Sequence, residues 1–394
     1  MIFVKNYMLN LEDINENKYS RLELISWWDQ SVLKKAKVLV VGCGALGNEI
    51  IKNLTMLGVG NIFVIDMDNV EKSNLTRSVL FRMEDEGKPK AEVAAKRAME
   101  INPDVNIKYF IGNIFNLGLG VFKEMDIVIC GLDNREARLF VNQSCYKVNK
   151  PWIDGAIEVL SGVARVFVPS TEICYECTMT ELDYKLLNKR KSCLMLGVDE
   201  IDQGKIPTTP TISSIIAGIQ VQEAVKYLHG QKDLLVGKGF VFNGAANDSY
   251  IVEYNSNPDC PSHYTFEKIV KAEKNFNEVM LSDIVEFGKN YFESDEFEIE
   301  FNNEVVYALV DEVKKSEKEF FANMNLLSVK DIKEGDNILK MKSFHRLNSD
   351  SELVVKLENK KLSDLKIPAN DIITLRKGMK EVHLQFNSIE VFNS

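Results

Sequence analysis

Charged side chains occur at positions where a nucleoside triphosphate would need them. Asp66 ends one apolar run of the sequence, and Asp133 closely follows another. A carboxylate at the end of a second strand can accept hydrogen bonds from ribose, and one at a strand tip can hold Mg²⁺. Arg77 and Lys90 lie between them and can neutralise phosphates. The set favours a nucleoside triphosphate over a dinucleotide, whose pyrophosphate needs no such group of extra charges.

A glycine-rich loop precedes these charges. The apolar run Lys37–Val41 leads into Gly42, Gly44 and Gly47, which have the GxGxxG spacing and open a helical stretch. Glycines there permit a tight turn and a close approach of backbone N–H groups to phosphate. Alone, the motif is typical of NAD or FAD binding, and a tight turn without ligand is the structural alternative. The polar segment Asp66–Arg77 argues against a dehydrogenase.

Two pairs of metal-ligand residues are separated by a long stretch of sequence. Cys174 and Cys177 form one pair, and Cys260 and His263 form the other. Both spacings suit tetrahedral Zn²⁺, and a Cys₃His set satisfies its ligand preferences. A lone CxxC would also fit redox chemistry, but the second pair favours zinc. Because four ligands leave no open position, we expect a structural ion.

One further cysteine has a basic neighbourhood. Cys193 follows the cationic run Lys189–Ser192, within a charged segment, 178–206, that we expect to be irregular and mobile. Neighbouring cations favour the nucleophilic thiolate, while an incidental thiol is the alternative. The other cysteines fall in strand, turn or helix patterns and are expected in the core: Cys43, Cys130 and Cys145.

Strand and helix patterns alternate over residues 37–170. This alternation predicts an α/β fold with a Rossmann-like, doubly wound, mostly parallel sheet. Residues 1–35 are expected to form an N-terminal helical segment that includes Trp27 and Trp28. From about 264 the pattern changes to short strands with one or two helices, which predicts a smaller C-terminal α+β domain. A ubiquitin-like β-grasp, a dimerisation domain and a lid are alternatives for it.

Composition excludes several classes of protein. The 394 residues carry a net charge of −10 and seven cysteines. Apolar runs are too short for a membrane span, and the acidic balance argues against nucleic-acid binding. The start turns acidic before a signal-peptide core forms, so we expect a cytoplasmic protein. An odd number of scattered cysteines argues against a disulfide framework.

Several short motifs together resemble the ThiF/MoeB and ubiquitin-activating-enzyme family. The resemblance runs in unbroken order over about residues 18–263. It implies ATP- and Mg²⁺-dependent adenylation of the C-terminal glycine of a ubiquitin-like protein. The motifs are Lys18–Arg21, Ser73–Arg77, Gly87–Ala91, Ile101–Pro103 and Leu132–Asn134.

The resemblance assigns a role to individual residues. Asp66 would bind ribose, Arg77 and Lys90 the phosphates, and Asp133 the Mg²⁺. Arg21 matches an arginine that reaches the partner's ATP across a dimer interface, so a homodimer is expected. The match departs from the family pattern at Leu22 and Ser78. The nucleotide site implied in full is Gly42, Gly44, Ala45, Gly47, Asp66, Asp68, Asn74, Arg77, Lys90, Asp133 and Asn134.

The resemblance also implies the steps after adenylation. Cys193 would take the adenylated tail as a thioester and pass it to a conjugating enzyme. The alternative is a sulfur-carrier adenylyltransferase of thiamine, molybdopterin or related biosynthesis. The division expected is 1–35, an adenylation domain over 36–263, and a C-terminal domain over 265–394 that recruits the conjugating enzyme.

A biological role is a separate hypothesis. The single-chain form with a C-terminal extension resembles bacterial activating enzymes encoded beside a ubiquitin-like protein, a conjugating enzyme and a peptidase. Some such systems defend against phage, so an antiviral role is one hypothesis, which the gene neighbourhood would test.

Overall fold

An eight-stranded sheet carries the first part of the chain. The computed structural model describes residues 17–169, 171–187, 207–335, 337–387 and 391–392. The strand order is β3-β2-β1-β4-β5-β6-β7-β8; β1 to β5 pair in parallel and the remaining pairs are antiparallel. The strands are β1 Lys37–Val41, β2 Asn61–Asp66, β3 Asn106–Ile111, β4 Ile127–Cys130, β5 Trp152–Glu158, β6 Ser161–Phe167, β7 Lys238–Asn243 and β8 Asp248–Glu253.

Helices cover both faces of this sheet, which confirms the doubly wound arrangement. The apolar residues of β1, β2 and β4 alternate between two cores. One core includes α2, α3 and α7, and the other includes α4 and α5. Burial on both faces explains why these strands are nearly continuous apolar runs. The helices are α1 Gln30–Lys35, α2 Ala45–Met56, α3 Lys90–Ile101, α4 Leu119–Glu124, α5 Arg135–Lys147, α6 (residues 181–187) and α7 Pro210–Leu228.

The strand order reverses at β1, and this places the predicted site. In the register of the sheet, Val41 of β1 lies beside Ile65 of β2 and Cys130 of β4. The residues that leave these three strands therefore share one edge. In open α/β sheets that edge, at such a reversal, is where ligands bind.

A smaller α+β unit, from β9 to β16, comes after the first sheet. Its main sheet has the order β11-β10-β15-β16-β9, and β14 also pairs with β10. A separate two-stranded sheet is formed by β12 and β13. The strands are β9 Ile269–Asn275, β10 Glu298–Asp311, β11 Ser316–Asn323, β12 Lys333–Glu334, β13 Asn337–Ile338, β14 Lys340–Asn348, β15 Ile372–Lys377 and β16 Lys380–Asn387. The helices are α8 Leu281–Phe292, α9 Val329–Ile332 and α10 Glu352–Leu357. We call this the C-terminal unit.

The C-terminal unit has a strand order unlike that of a β-grasp. Its first and last strands, β9 and β16, pair in parallel, as they do in a β-grasp. However, β9 lies at the sheet edge and leads directly into α8, whereas a β-grasp begins with a hairpin. The smaller α+β unit is confirmed, without the β-grasp order.

The C-terminal unit packs against the first sheet through shared apolar and polar contacts. Ile372 and Phe392 belong to the same core as α4 and α5. The Glu124 carboxylate accepts the backbone N–H groups of Val391 and Phe392, each at 3.0 Å. Residues 391–392 are thus held against α4.

Two stretches of the chain differ from the expectation drawn from the sequence. Trp27 lies in a turn and Trp28 in irregular backbone, not in a helix, because Asp29 caps α1 by accepting the Ser31 N–H. Within 178–206, residues 181–187 are helical rather than irregular, and 188–206, with Cys193, lie outside the described residues. Among described helices, none combines the length and apolar character needed to span a bilayer.

Candidate nucleotide site and metal centre

The space around the glycines of the loop differs: Gly47 is tightly packed, whereas Gly44 has open space beside it. Gly42 has a φ of 91°, and a Cβ on Gly47 would lie 1.8 Å from the Gly42 carbonyl oxygen. Gly47 therefore allows the turn to pack. A Cβ on Gly44, by contrast, would meet nothing within 4 Å. Gly44 is the N-cap of α2, whose first residue is Ala45, so the open space lies beside a helix start, where N–H groups are available to a ligand.

Asp66 is oriented by the backbone around it. Its carboxylate accepts the Cys43 N–H at 2.6 Å and the Asp68 N–H at 2.8 Å. Burial raises the pKa of Asp66, although these two donors act in the opposite direction. The carboxylate is fixed at the carboxyl end of β2, and each oxygen keeps a further lone pair for a ligand hydroxyl.

Lys90 lies at the same edge and is buried. It begins α3, is 9% exposed, and places its ammonium 2.8 Å from the exposed Asp68 carboxylate. Burial opposes the charge, but the hydrogen bond to Asp68 and the charge of Asp66 outweigh it and raise the pKa of Lys90. The structure brings Asp66, Asp68 and Lys90 into one cluster with a permanent cation.

Arg77 and Asn74 belong to the loop beyond β2. Arg77 is half-buried as a residue, and its guanidinium donates to the Ser73 carbonyl at 2.6 Å in an exposed hydrogen bond. The Asn74 side chain accepts the Glu71 N–H at 2.9 Å and stabilises the turn that it belongs to. Asn74 thus has a structural role in its own loop.

Asp133 and Asn134 differ in their surroundings. Both are exposed beyond β4, and the Asn134 side chain accepts the Ala137 N–H at 2.8 Å as the N-cap of α5. Asp133 receives a long contact, 3.4 Å, from the Asn134 amide. The helix cap presents Asp133 to solvent at the edge that also carries Gly44 and Asp66.

An arginine that sequence reasoning missed supports this loop. Arg138 donates to the Leu132 carbonyl and, at 3.1 Å, to the Gly155 carbonyl. It also pairs at 2.9 Å with Asp154, which Arg165 contacts from the other side. Burial opposes ionisation of Asp154, but the two arginines together hold its pKa below the ordinary value. The sequence feature that could have identified Arg138 is an arginine one turn after the start of the helix that follows Leu132–Asn134.

The N-terminal motif docks far from the phosphate edge of its own chain. Lys18 pairs with Asp104 at 2.7 Å, and the Asn102 amide donates to the Tyr19 hydroxyl at 2.9 Å. Two motifs of the family resemblance therefore contact each other. Tyr19 also packs on Gly58, just beyond the end of α2, which is about 18 Å long. Arg21 is exposed beside this contact.

The four predicted metal ligands converge. Their ligand atoms all lie within 4.8 Å of one another. Cys174 Sγ is 3.7 Å from Cys177 Sγ and 3.5 Å from Cys260 Sγ, and Cys177 Sγ is 3.2 Å from His263 Nε2. Tetrahedral Zn²⁺ with Zn–S bonds of about 2.3 Å requires sulfurs about 3.8 Å apart. The donor set therefore fits zinc in both chemistry and spacing.

The loops that carry these ligands are held together directly. Glu176, between the first two cysteines, is buried and accepts hydrogen bonds from the Ser262 hydroxyl and, at 2.9 Å, from the Tyr184 hydroxyl. Tyr146 stacks on the His263 ring with centroids 5.3 Å apart. The remaining described cysteines, Cys43, Cys130 and Cys145, are buried, as expected.

The chain has relatives among known proteins. The ThiF family model matches residues 16–262, so the chain belongs to the ThiF family. It is 27% identical to ubiquitin-like modifier-activating enzyme 5 of Dictyostelium discoideum, covering 65% of this chain and 70% of that protein. It is 32% identical to the SAMP-activating enzyme E1 of Haloferax volcanii, covering 64% and 90% respectively.

Another relative is matched over a smaller share of its length. The NEDD8-activating enzyme E1 catalytic subunit of Schizosaccharomyces pombe is 38% identical, but the match covers 40% of this chain and 37% of that subunit. The chain therefore spans little more than a third of that relative. A crystal structure of E. coli MccB with ATP superposes with a TM-score of 0.53 at 26% identity, covering 64% of this chain and 75% of MccB.

Proposed function

We propose that this protein uses ATP and Mg²⁺ to adenylate the C-terminal glycine of a ubiquitin-like protein. One observation carries the proposal: Gly44 leaves open space at a helix start, on the edge where Asp66, Lys90 and Asp133 also lie. A triphosphate needs such a combination of N–H donors, cation and metal-binding carboxylate. The MccB structure with ATP, which shares the fold, supports the same ligand.

Each residue of the cluster has a role in this chemistry. The glycine carboxylate attacks the α-phosphorus, the bond to the β-phosphate breaks, and pyrophosphate leaves. Lys90 would neutralise phosphate charge, exchanging Asp68 for the nucleotide, while Asp66 would bind ribose. Asp133 would hold Mg²⁺, which stabilises the charge on the phosphate oxygens. Since the carboxylate is already ionised, no general base is required.

The loop from Leu132 to Asn134 must stay fixed while charge develops. Arg138 fixes the Leu132 carbonyl, and the Asn134 cap fixes the start of α5. Preorganised groups of this kind stabilise a transition state without reorganising at the moment of reaction. We therefore assign Arg138 as a positioning residue for Asp133.

Two further steps would follow adenylation. The product would be taken by Cys193 as a thioester and passed to a conjugating enzyme that the C-terminal unit recruits. The relatives named as a NEDD8-activating enzyme subunit and a ubiquitin-like modifier-activating enzyme support activation of a ubiquitin-like protein. Arg21, which is exposed about one helix length from its own glycine loop, would serve the site of a second copy in a homodimer.

A second candidate is a sulfur-carrier adenylyltransferase. A specific observation favours it: the protein of that name from Thermus thermophilus is 33% identical, and the match covers 83% of its length. Adenylation would be the same, but the adenylate would pass to a sulfur donor instead of Cys193. The C-terminal unit favours the first candidate, the activating enzyme, because that candidate gives the unit a role in recruiting the conjugating enzyme.

The Cys₃His cluster is proposed as a structural zinc site. Its four ligands leave no open coordination position, and Zn²⁺ would join the loop after β6 to the segment beyond β8. An antiviral role for the whole pathway remains a hypothesis for the gene neighbourhood to test.

Binding of ATP by the full chain tests the nucleotide site. We expect Lys90→Met to weaken the affinity for ATP·Mg²⁺, measured by calorimetry, at least tenfold, because a buried cation is lost. Lys88→Met is the matched control, since Lys88 is largely exposed and pairs with Asp85. Equal affinities of the two variants would refute the assignment.

Cys193 distinguishes the two candidate functions. With a glycine-ended partner and ATP, the first candidate predicts an adduct sensitive to reducing agent, which Cys193→Ala abolishes. An adduct that persists in Cys193→Ala would contradict the thioester assignment. Pyrophosphate release without any such adduct would favour the sulfur-carrier candidate.

A further inference from the structure

A short 3-10 turn, Ile114–Asn116, comes after β3 and borders the nucleotide site. The Gly112 N–H donates to the Asp66 carbonyl at 3.1 Å. The Asn113 amide contacts Met67 Sδ at 3.2 Å, and its oxygen accepts the Phe115 N–H at 3.2 Å. The turn is therefore joined to the end of β2, beside the carboxylate proposed to bind ribose.

The other side of this turn is held by the C-terminal unit. Asn303 of β10 and Asn323 of β11 each donate a side-chain N–H to the Phe115 carbonyl, both at 3.1 Å. Both asparagines are buried, with exposed fractions of 4% and 3%. The Asn325 amide in turn contacts the Asn303 oxygen at 3.4 Å. We call Asn303 and Asn323 the asparagine clasp.

The same turn also contacts the helix beyond Asp133. The Phe115 ring packs edge-to-face on Phe140 of α5, with centroids 4.8 Å apart. The turn thus lies between the end of β2 and α5, whose N-cap presents Asp133. A displacement of the Phe115 carbonyl would be transmitted to both sides of the proposed site.

The asparagine clasp is not needed merely to hold the C-terminal unit against the first sheet. Apolar contacts such as Ile372 and Phe392 already join the two parts of the molecule. Two buried amides that converge on one carbonyl fix its position in a way that apolar contacts do not, because hydrogen bonds are directional. Each also costs free energy to bury unless its bond is made.

We propose that Asn303 and Asn323 are positioning residues through which the C-terminal unit shapes the base end of the nucleotide site. This rests on the proposed function. With phosphates at Gly44 and Lys90 and ribose at Asp66, the base extends away from the glycine loop. It then meets the residues that come after β2 and β3, which include Met67 and Asn113.

Binding of two ligands, one with a base and one without, distinguishes a positioning role for the asparagine clasp from a general effect on stability. Asn303→Ala and Asn323→Ala each leave one donor on the Phe115 carbonyl, so each variant keeps part of the clasp. We expect the affinity of the full chain for ATP·Mg²⁺ to fall about three- to tenfold. The affinity for inorganic tripolyphosphate, measured by displacement, should change less than twofold because it has no base.

Asn302→Ala is the control at the same interface. Its amide binds Asp371 and the Ile372 carbonyl rather than the turn, at 2.9 and 2.7 Å. The proposal is overturned if the clasp variants bind ATP like the wild type, if they lose both ligands equally, or if Asn302→Ala matches them. Wild-type protein that binds no ATP would refute the proposed function itself.

Discussion

Replacing Asp371 by asparagine should remove a pH-dependent loss of stability. Asp371 is buried between the two units, where its carboxylate accepts the Leu119 N–H at 3.1 Å and the Asn302 amide at 2.9 Å. Burial raises the pKa of Asp371 to about 6 from an ordinary 3.8, although these donors and Lys147 act in the opposite direction. The native state therefore disfavours the ionised form.

The magnitude of the effect is set by this shift. A pKa that is higher in the folded state gives stability that is present below pH 3.8 and is lost as the pH rises through about 6. A shift of about two units corresponds to about 3 kcal/mol, of which about 2 kcal/mol is lost between pH 4.5 and 7.5. Asparagine stays neutral and accepts the same two bonds, so Asp371→Asn should not show this loss.

Thermal unfolding of the full chain measures the difference. With 394 residues and about 2.1 cal/mol/K of unfolding entropy per residue, 2 kcal/mol corresponds to about 2–3 °C. We expect the wild-type Tm to fall by that amount more than the Tm of Asp371→Asn over this pH range. Asp364→Asn, an exposed aspartate of the same unit, is the control. Parallel profiles for wild type and Asp371→Asn would refute the reasoning.

Two further predictions concern the glycine loop and the metal centre. Gly44→Ala should fold with little change in Tm, since alanine is only a poorer N-cap there, yet should lose ATP affinity at least tenfold because its Cβ fills ligand space. Gly47→Ala should lower the Tm by several degrees, because its Cβ meets backbone. Normal ATP binding by Gly44→Ala would argue against the loop as the phosphate site. Cys260→Ser should lose bound zinc, measured by mass spectrometry of the metal, and should lower the Tm, whereas Cys145→Ser should keep the zinc. Equal zinc in the two variants would contradict the cluster.

The parallel part of the first sheet, β1 to β5, was predictable because its chemistry is local, whereas β7 and β8 were not predicted. Apolar runs that end in Gly42, Asp66 and Gly131 specify buried parallel strands, and the spacing of charges after them specifies one functional edge. The metal ligands could also be predicted from the sequence, since two closely spaced pairs of cysteine and histidine ligands are seldom found for any other reason. The structure adds the distances and confirms that the four ligands converge.

The supporting interactions were not predictable from the sequence. Arg138 and Asp154 lie 16 positions apart, and their pairing depends on β5 lying beside β4. The asparagine clasp joins positions 188 and 208 residues apart, across two units. Trp27 and Trp28 belong to a segment whose sequence predicted a helix, but the Asp29 cap places the start of α1 after them.

The central claim is adenylation of a protein carboxylate at the edge formed by Gly44, Asp66 and Asp133. The most direct measurement supplies ATP, Mg²⁺ and a small ubiquitin-like protein ending in glycine, and identifies the released phosphorus products. The account predicts AMP-linked protein and pyrophosphate, both lost when the terminal glycine of the partner is deleted or when Asp133 is changed to alanine. Release of ADP and inorganic phosphate, or pyrophosphate formation that survives Asp133→Ala, would contradict it.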